Sequence, residues 1–341
     1  MRKAQPYPPA TAASSGEDEL IARYFRPLVT HPGALSLQDD AAILGLGADE
    51  ELVITTDSVI AGVHFFPDDP PATIARKALR VNLSDLAAKG AQPRGFVLNL
   101  ALPQVDHAWL AAFAAALGAD AEAYQCPLLG GDSVKMPGLL AIAITAFGAV
   151  PRGHMVRRSG ARAGDVIVVS GTIGDAALGL ALQREVALAR LQETRPALMA
   201  HLVTRYREPQ PRNAIASLVR DHFTSAMDVS DGLVGDLRKL CAASQVGARV
   251  DIVSVPLSEA AQYVVSEAGS AWLECALTGG DDYEILGTLA RDDLPQAIAA
   301  ARHAGVALSA IGEVMARGTG VSFLDREGQP RGFTQASFSY F

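Results

Sequence analysis

The sequence predicts an α/β (α+β) protein built from two domains, each with a mixed sheet. Three observations lead to this prediction. The chain has 341 residues, the usual length of two domains. Its hydrophobic content of 49% is enough for two cores. Short β-branched runs and longer helical patterns mix in both halves without strict βαβ regularity, which favours mixed sheets over a purely parallel one.

The composition excludes several classes of protein. The net charge of −8 argues against broad nucleic-acid binding, which uses basic surfaces. No apolar run is long enough to cross a bilayer, so no membrane partner is expected. The spacing of Cys126, Cys241 and Cys275 suits neither a zinc site nor a redox pair. These features predict a cytoplasmic protein.

The chain is expected to divide into a tail and two domains. Residues 1–17 are predicted to be a flexible N-terminal tail, since they hold prolines, alanines and serines but no apolar signal core. Residues 18–150 form the predicted N-terminal domain and residues 151–341 the C-terminal α/β domain. The boundary is placed at Pro151-Arg152-Gly153, where two turn-forming residues follow a strand pattern.

The elements of the first domain follow from local patterns. Asp106 is a suitable cap for a helix that reaches about Tyr124. Pro70 and Pro71 suit the first turn of another helix. In chain order we predict an amphipathic helix over 18–29, a turn entering a strand over 37–44, a strand over 52–56, a helix over 72–89, a strand over 96–102, the Asp106-capped helix, a glycine turn over 129–132 and a strand over 139–150.

The second domain is predicted in the same way. Its strands cover 165–170, 248–253 and short segments near Val314 and Phe323. One helix begins near Asp175, and further helices cover 196–207, 212–221, 233–244 and 294–304. The acid-rich segment 226–232 lies between a short strand and a helix, and the segment 277–286 is a glycine turn entering a strand.

The helix over 72–89 carries an unusual pair of polar residues. At about 100° per residue, one arc is apolar, and the opposite arc holds Thr73, Arg76, Lys77, Arg80 and Ser84. Asn82 and Asp85 fall inside the apolar arc, three residues apart. A buried carboxylate is costly unless it is paired or binds a metal. Asp85 therefore indicates metal binding or catalysis, or else a partner from a distant segment.

Other acids recur where the predicted strands end. They are Asp39, Asp40, Asp57, Asp132, Asp228, Asp231, Asp281 and Asp282. Taken alone, Asp57 also fits an ordinary turn. Hard oxygen ligands in this number suit magnesium, which binds through a few carboxylates together with substrate phosphates. No Walker A loop or G-x-G-x-x-G motif is present, so a nucleotide would use neither common cradle.

Several further residues have two possible readings each. Gly171-Thr172-Ile173-Gly174 is either an anion site at a helix start or a plain tight turn. His64 is a metal ligand, a general base or neither. Arg157 and Arg158 either contact phosphate or form a solvated pair. Tyr124 either stacks on a base or is buried. Together these residues indicate metal-dependent handling of phosphates, without naming a substrate.

Seven motifs, in this order and spacing, resemble those of the thiamine-monophosphate kinases, a family of the superfamily that includes aminoimidazole ribonucleotide synthetase. They are TTDSVIAGVHF, KALRVNLSDLAAKGA, LLGGDSVK, RSGARAGD, VSGTIGDAALGL, MDVSDGL and LTGGDDYEI. The resemblance extends from about residue 18 to the C-terminus. It implies a kinase, a transferase that phosphorylates thiamine phosphate to thiamine diphosphate with ATP and Mg²⁺. It also implies a homodimer of two-domain chains, in which the domain over 18–150 binds ATP and magnesium and forms the dimer contact.

The resemblance also implies roles for individual residues. Magnesium ligands would be Asp40, Thr55, Thr56, Asp57, Asp85, Asp132, Asp228 and Asp231, with Asp57 and Asp85 the catalytic pair. ATP contacts would be Tyr124, Gly131, Asp132, Arg158 and Ser230. Thiamine phosphate contacts would be His64, Asp281 and an aromatic residue near the C-terminus.

Two positions depart from the family pattern. The family usually has Gly before its first acid pair, where this chain has Gln38. The resemblance therefore does not determine the conformation of the turn that places Asp40. Near the C-terminus the family places an aromatic residue, commonly Trp, on the substrate. Gln335 aligns there, with Phe333 and Phe338 nearby, and Phe338 is our candidate.

Other functions fit the sequence less well. A selenophosphate synthetase needs a reactive Cys or selenocysteine in an N-terminal glycine-rich loop, and no Cys precedes Cys126. The hydrogenase-maturation relative ends in Cys, whereas this chain ends in Tyr340-Phe341. Aminoimidazole ribonucleotide synthetase matches the seven motifs less closely. A catalytically silent nucleotide- or metal-binding protein would not need the intact set of acids.

Overall fold

The computed structural model describes residues 16–335, 337 and 338, so the predicted tail lies almost entirely outside the described residues. The first part of the chain forms one mixed sheet with two long helices. Its elements are α1 (Gly16–Leu20), β1 (Glu50–Ile60), α2 (Pro71–Ala88), β2 (Gln92–Leu102), α3 (His107–Ala123), β3 (Leu128–Lys135) and β4 (Ala141–Pro151). The strand order is β1-β4-β2-β3, with β2 and β3 parallel and the other neighbours antiparallel.

The second part of the chain forms a six-stranded mixed sheet in the order β10-β7-β9-β5-β8-β6. Its strands are β5 (Val166–Ser170), β6 (Phe223–Asp228), β7 (Gly247–Asp251), β8 (Ile285–Leu289), β9 (Leu308–Met315) and β10 (Val321–Leu324). Its helices are α4 (Asp175–Arg184), α5 (Ala189–Thr194), α6 (Pro196–Arg207), α7 (Ala216–His222), α8 (Leu233–Ser244), α9 (Glu259–Ala268), α10 (Ala271–Thr278) and α11 (Leu294–His303). The predicted fold class, with two mixed sheets, is confirmed.

Helix α2 is the element that joins the two parts. One side packs on β1, β4 and α3, and the other meets β6 and α7 of the second part. Its polar arc is therefore covered as well, and Lys77, Arg80 and Ser84 are buried. Most of the arc that the sequence marks as polar is therefore not solvated, because a second layer of protein covers it.

Most predicted elements are confirmed. Helix α3 begins directly after Asp106, the residue predicted to cap it. The carboxylate of Asp106 accepts the backbone N–H groups of Ala108 and Trp109, which satisfies donors that a helix start leaves without partners. The helices predicted over 196–207 and 233–244 are α6 and α8. Helices α9 and α10 were not predicted as such.

Four predictions of local structure were wrong. β1 continues past Asp57 because its pairing with β4 extends to Ile60. The predicted glycine turn over 129–132 is part of β3: a Cβ at Gly131 would lie 2.0 Å from the Leu98 carbonyl oxygen, so glycine permits close strand approach there. The 37–44 segment is not a strand: it begins at Leu37, the last residue of a 3₁₀ turn, and continues as bends and irregular backbone. The helix predicted over 18–29 is interrupted after Leu20 by a π turn and a 3₁₀ turn containing Pro27.

Candidate active site

Four carboxylates meet where the two parts of the chain touch, and we call Asp57, Asp85, Asp228 and Asp231 the acid group. β1 supplies Asp57, α2 supplies Asp85, β6 ends at Asp228, and Asp231 follows three residues later. Desolvation by the surrounding protein, then the charges of Asp85 and Asp231, raise the pKa of Asp57 to about 6. Asp57, Asp85 and Asp231 are therefore close enough for their charges to interact, and the charge of Asp85 also acts on Asp228.

Hydroxyl groups satisfy two of these acids. The Thr55 hydroxyl donates to Asp85 Oδ2 at 2.5 Å, so Asp85 does have a partner from a distant segment, and that partner is itself a predicted metal ligand. The Ser84 hydroxyl donates to Asp228 Oδ2 at 2.7 Å. Burial, then the charge of Asp85, raises the pKa of Asp228 to about 8 in spite of the Ser84 hydrogen bond. A cation would relieve this crowding of carboxylates.

The loop that carries Ser230 and Asp231 is fixed by Asp236 in the first turn of α8. The Asp236 carboxylate accepts the backbone N–H of Ser230 at 3.1 Å and of Asp231 at 2.9 Å. Lys239 pairs with both Asp231 and Asp236. The M-D-V-S-D-G-L motif therefore owes its shape to residues that follow it on α8.

A second group lies beside the acid group and contains His64 and Asp281, the predicted acceptor contacts. The Lys77 ammonium donates to Asp281 Oδ2 and to the His64 carbonyl oxygen, each at 2.8 Å. The His64 ring accepts the Ile60 N–H on Nδ1 at 3.1 Å. Burial lowers the pKa of His64, with Asp281 opposing the shift. The imidazole is therefore neutral at neutral pH.

The C-terminal segment returns to the acid group. The Phe338 N–H donates to the Asp231 carbonyl oxygen at 3.0 Å. Phe333 instead packs edge-on against Phe323 in the core of the second part, with ring centroids 5.3 Å apart. Gln335 is exposed. Of the three C-terminal candidates, Phe338 is the aromatic residue whose backbone bonds to the acid group.

Asp40, Gly131 and Asp132 lie apart from the acid group within one chain. They line a cavity of about 240 Å³ between β3 and the segment 21–42. β4 and β2 lie between β1 and β3, so three inter-strand spacings of about 4.8 Å put β1 and β3 about 14 Å apart. Left-handed backbone occurs at Leu35, Ser36 and Leu37, whereas Gln38 has φ −118°, so its position does not require glycine.

The remaining predicted residues border the site from several sides. Thr56 is exposed and its hydroxyl donates to the Ile144 carbonyl oxygen. Tyr124 lies in a cleft with Arg94 and Asn213, and the Arg80 guanidinium carbon is 5.7 Å from its ring centroid. The Arg158 carbonyl oxygen accepts a hydrogen bond from the Ser244 hydroxyl. Burial lowers the pKa of Lys89, the charge of Asp228 opposes this shift, and the charge of Arg158 adds to it.

The donors present fit magnesium. In the described part of the chain, no three His, Cys, Asp or Glu side chains form a ready metal cluster. Magnesium does not need one, since it binds through one or two carboxylates and takes further oxygens from water and phosphate. The acid group offers carboxylate oxygens, with the Thr55 and Ser84 hydroxyls beside them, and the pKa values of Asp57 and Asp228 are raised first by burial and then by the charges of neighbouring carboxylates.

Sequence reasoning missed Lys77, Ser84 and Asp236, which hold the predicted residues in place. Lys77 and Ser84 stand in the motif K-A-L-R-V-N-L-S-D, but helical periodicity put them on the polar arc. Their signal was the motif itself. Asp236 carried a weaker signal, an acid in the first turn of a helix.

Comparison with known proteins identifies the family. Residues 38–150 match the N-terminal domain of the AIR synthase related protein family, and residues 162–325 match its C-terminal domain. The thiamine-monophosphate kinase of Escherichia coli (strain K12) is 40% identical over 329 residues, which are 96% of this chain and 98% of that protein. The chain belongs to the thiamine-monophosphate kinase family.

Solved structures of thiamine-monophosphate kinases agree with this assignment. The enzyme from Stenotrophomonas maltophilia K279a has a TM-score of 0.81 and 38% identity, covering 92% of this chain and 96% of that one. A structure of AaThiL complexed with AMPPCP and TMP has a TM-score of 0.75 and 29% identity, covering 89% and 91%.

Proposed function

We propose that the protein transfers the γ-phosphoryl group of ATP to thiamine phosphate, forming thiamine diphosphate and ADP. A phosphate oxygen of the acceptor forms a bond to the γ-phosphorus, and the bond from that phosphorus to the β–γ bridging oxygen breaks. The observation that carries the proposal is the acid group, four carboxylates from β1, α2 and the end of β6. The AaThiL complex supports it, because AMPPCP is an analogue of ATP.

Magnesium would be held by Asp57, Asp85 and Asp228, with Thr55 and Asp231 beside them. Thr56 is a further donor on β1, whereas Asp40 and Asp132 are donors at the separate cavity beside β3. The protein is acidic and both substrates are anions, so bound magnesium would supply the positive charge that brings them together and stabilises the transferring group. Asp57 and Asp85 would hold this charge at the acid group. We infer direct in-line transfer without a phosphoenzyme.

The acceptor would lie between His64, Asp281 and Phe338. His64 is neutral and offers a ring nitrogen as a hydrogen-bonding group. Asp281 presents a carboxylate that is partly exposed and suits the positive thiazolium of thiamine phosphate. Phe338 supplies an aromatic side chain that is 37% exposed, which suits stacking on a ring.

ATP would contact Tyr124, Gly131, Asp132, Arg158 and Ser230. Gly131 has no side chain and Asp132 is exposed, so both leave their cavity open to a ligand. Arg158 is exposed and can bind phosphate oxygens bidentately. Tyr124 offers a ring that lines the adjoining cleft.

We further propose a cytoplasmic homodimer. β1 is an edge strand whose outward-facing Leu52 and Ile54 are 41% and 58% exposed, an arrangement that suits burial against a second copy. Cys126, Cys241 and Cys275 are free thiols, as expected in a reducing compartment. Among the helices described, none is both long and apolar enough to span a membrane.

Release of ADP from ATP tests the proposed function. We expect fast release with thiamine phosphate and Mg²⁺, and slow release with free thiamine, with no acceptor or with EDTA. Equal turnover of free thiamine would contradict the acceptor assignment. Binding of ATP without ADP release under any of these conditions would favour the catalytically silent alternative.

A further inference from the structure

Lys77 is a fully buried cation at the junction of the two parts of the chain. Its side chain is 1% exposed. The ammonium donates to the His64 carbonyl oxygen and to Asp281 Oδ2, each at 2.8 Å. It also lies 3.8 Å from the centroid of the Tyr206 ring. The two hydrogen bonds and the ring face together surround the charge.

This environment decides what Lys77 can do. A buried charge costs free energy unless its partners compensate, and here one carboxylate, one carbonyl and one aromatic face do so. Because these groups enclose the ammonium and water barely reaches it, Lys77 has no free side from which to contact a substrate phosphate. Its role must be exerted through the residues it holds.

Those residues come from three separate segments. His64 follows β1, Tyr206 lies on α6, and Asp281 lies between α10 and β8. The Tyr206 hydroxyl donates to the same His64 carbonyl oxygen at 3.1 Å. Two side chains from different parts of the chain therefore fix one backbone oxygen.

The backbone at Asp281 also needs support. Asp281 has φ 64°, in the left-handed region that residues other than glycine seldom adopt. Its N–H donates to the Ser230 carbonyl oxygen at 2.8 Å, which ties it to the loop of the acid group. The bond from Lys77 fixes the carboxylate of the same residue.

We propose that Lys77 is a positioning residue for the acceptor, fixing the separation and orientation of His64 and Asp281. This inference rests on the proposed function, in which those two residues contact thiamine phosphate. It adds a residue with no substrate contact whose loss should weaken acceptor binding more than ATP binding. Tyr206 acts with it, through the shared carbonyl of His64.

The adjacent residue on α2 provides a matched control. Arg76 also bridges to the second part of the chain, with its guanidinium 2.9 Å from Glu208 Oε1. It touches neither His64 nor Asp281 in the contacts described. Loss of Arg76 therefore tests general docking of α2 against the second part, whereas loss of Lys77 tests docking at the acceptor residues.

The test compares KM for thiamine phosphate, KM for ATP and kcat in Lys77→Met, Tyr206→Phe and Arg76→Met. We expect Lys77→Met to raise KM for thiamine phosphate about 10-fold or more, with KM for ATP changed less than about 2-fold. Tyr206→Phe should raise KM for thiamine phosphate by a smaller factor. The variant with both changes should raise it by less than the product of the two single factors. Arg76→Met should leave both constants near wild type.

Three results would overturn the inference: an unchanged KM for thiamine phosphate in Lys77→Met, an equal rise in both KM values, or an equal effect from Arg76→Met. If Lys77→Met does not fold, Tyr206→Phe provides the test, because it removes a single hydroxyl group. An unchanged KM for thiamine phosphate in Tyr206→Phe would then contradict the inference. Failure of the proposed function is separate, since wild-type protein would then not convert thiamine phosphate in the same assay.

Discussion

Replacing Asp85 by Asn tests the acid group at its centre. The Asp85 charge raises the pKa of both Asp57 and Asp228, and its carboxylate accepts the Thr55 hydroxyl at 2.5 Å. Asn has nearly the same volume, and its amide oxygen can still accept that hydroxyl. We therefore expect Asp85→Asn to fold normally while losing the charge.

The size of the effect follows from the charge removed. A carboxylate and a doubly charged ion about 5 Å apart interact by roughly 7 kcal/mol at an effective dielectric constant of about 20, and water and the remaining carboxylates replace about half of this when the charge is removed. If a magnesium ion lies beside Asp85, loss of this carboxylate should lower kcat/KM by on the order of 100-fold, equivalent to about 3 kcal/mol. Asp57→Asn should have an effect of the same order.

Initial rates of ADP release at limiting and at excess magnesium measure this effect. Excess magnesium should restore part of the activity if metal affinity is the defect. Asp221→Asn is the matched control, since Asp221 is exposed and pairs with its neighbour Arg220, and its activity should equal wild type. Near-normal activity of both site variants at limiting magnesium would refute the reasoning.

Three further predictions concern the acceptor, stability and assembly. His64→Ala should raise KM for thiamine phosphate with ATP affinity little changed, and a purely kcat effect would contradict an acceptor contact. Burial lowers the pKa of His64, so the ring takes up a proton only below the pH at which a free histidine does. The ratio of the variant's KM for thiamine phosphate to that of wild type should therefore be the same at about pH 7 and about pH 8. Arg80→Met breaks a buried pair in which Asp120 accepts two N–H bonds at 2.6 and 2.9 Å, and the free energy of unfolding in urea should fall by about 3–5 kcal/mol; a loss below about 1 kcal/mol would contradict it. Sedimentation at micromolar concentration should show a dimer, and a monomer would count against the proposed assembly.

Local sequence patterns predicted much of the fold and the central acid. Asp106 and the prolines at the start of α2 located two helices, because a cap and a fixed φ act within a few residues. Asp85 stood out because a carboxylate inside an apolar arc is costly wherever the helix packs. This cost follows from the helical pattern alone, whatever the partners of Asp85 are.

The sequence could not predict what packs around α2 from the second part of the chain. Lys77 and Arg80 fell on the polar arc because periodicity describes one helix, whereas their burial depends on the Tyr206 ring and the Pro209 carbonyl oxygen, both from the second part. Gly131 read as a turn because glycine serves both turns and close strand approach, and only the neighbouring strand distinguishes them.

The path of the γ-phosphoryl group tests the central claim most directly. Protein incubated with γ-labelled ATP and Mg²⁺, with and without thiamine phosphate, is quenched within one turnover and the label is followed into small molecules and protein. We expect the label in thiamine diphosphate when the acceptor is present, and no labelled protein when it is absent. A phosphoenzyme formed from ATP alone would contradict direct transfer, and label recovered only as inorganic phosphate would contradict the acceptor.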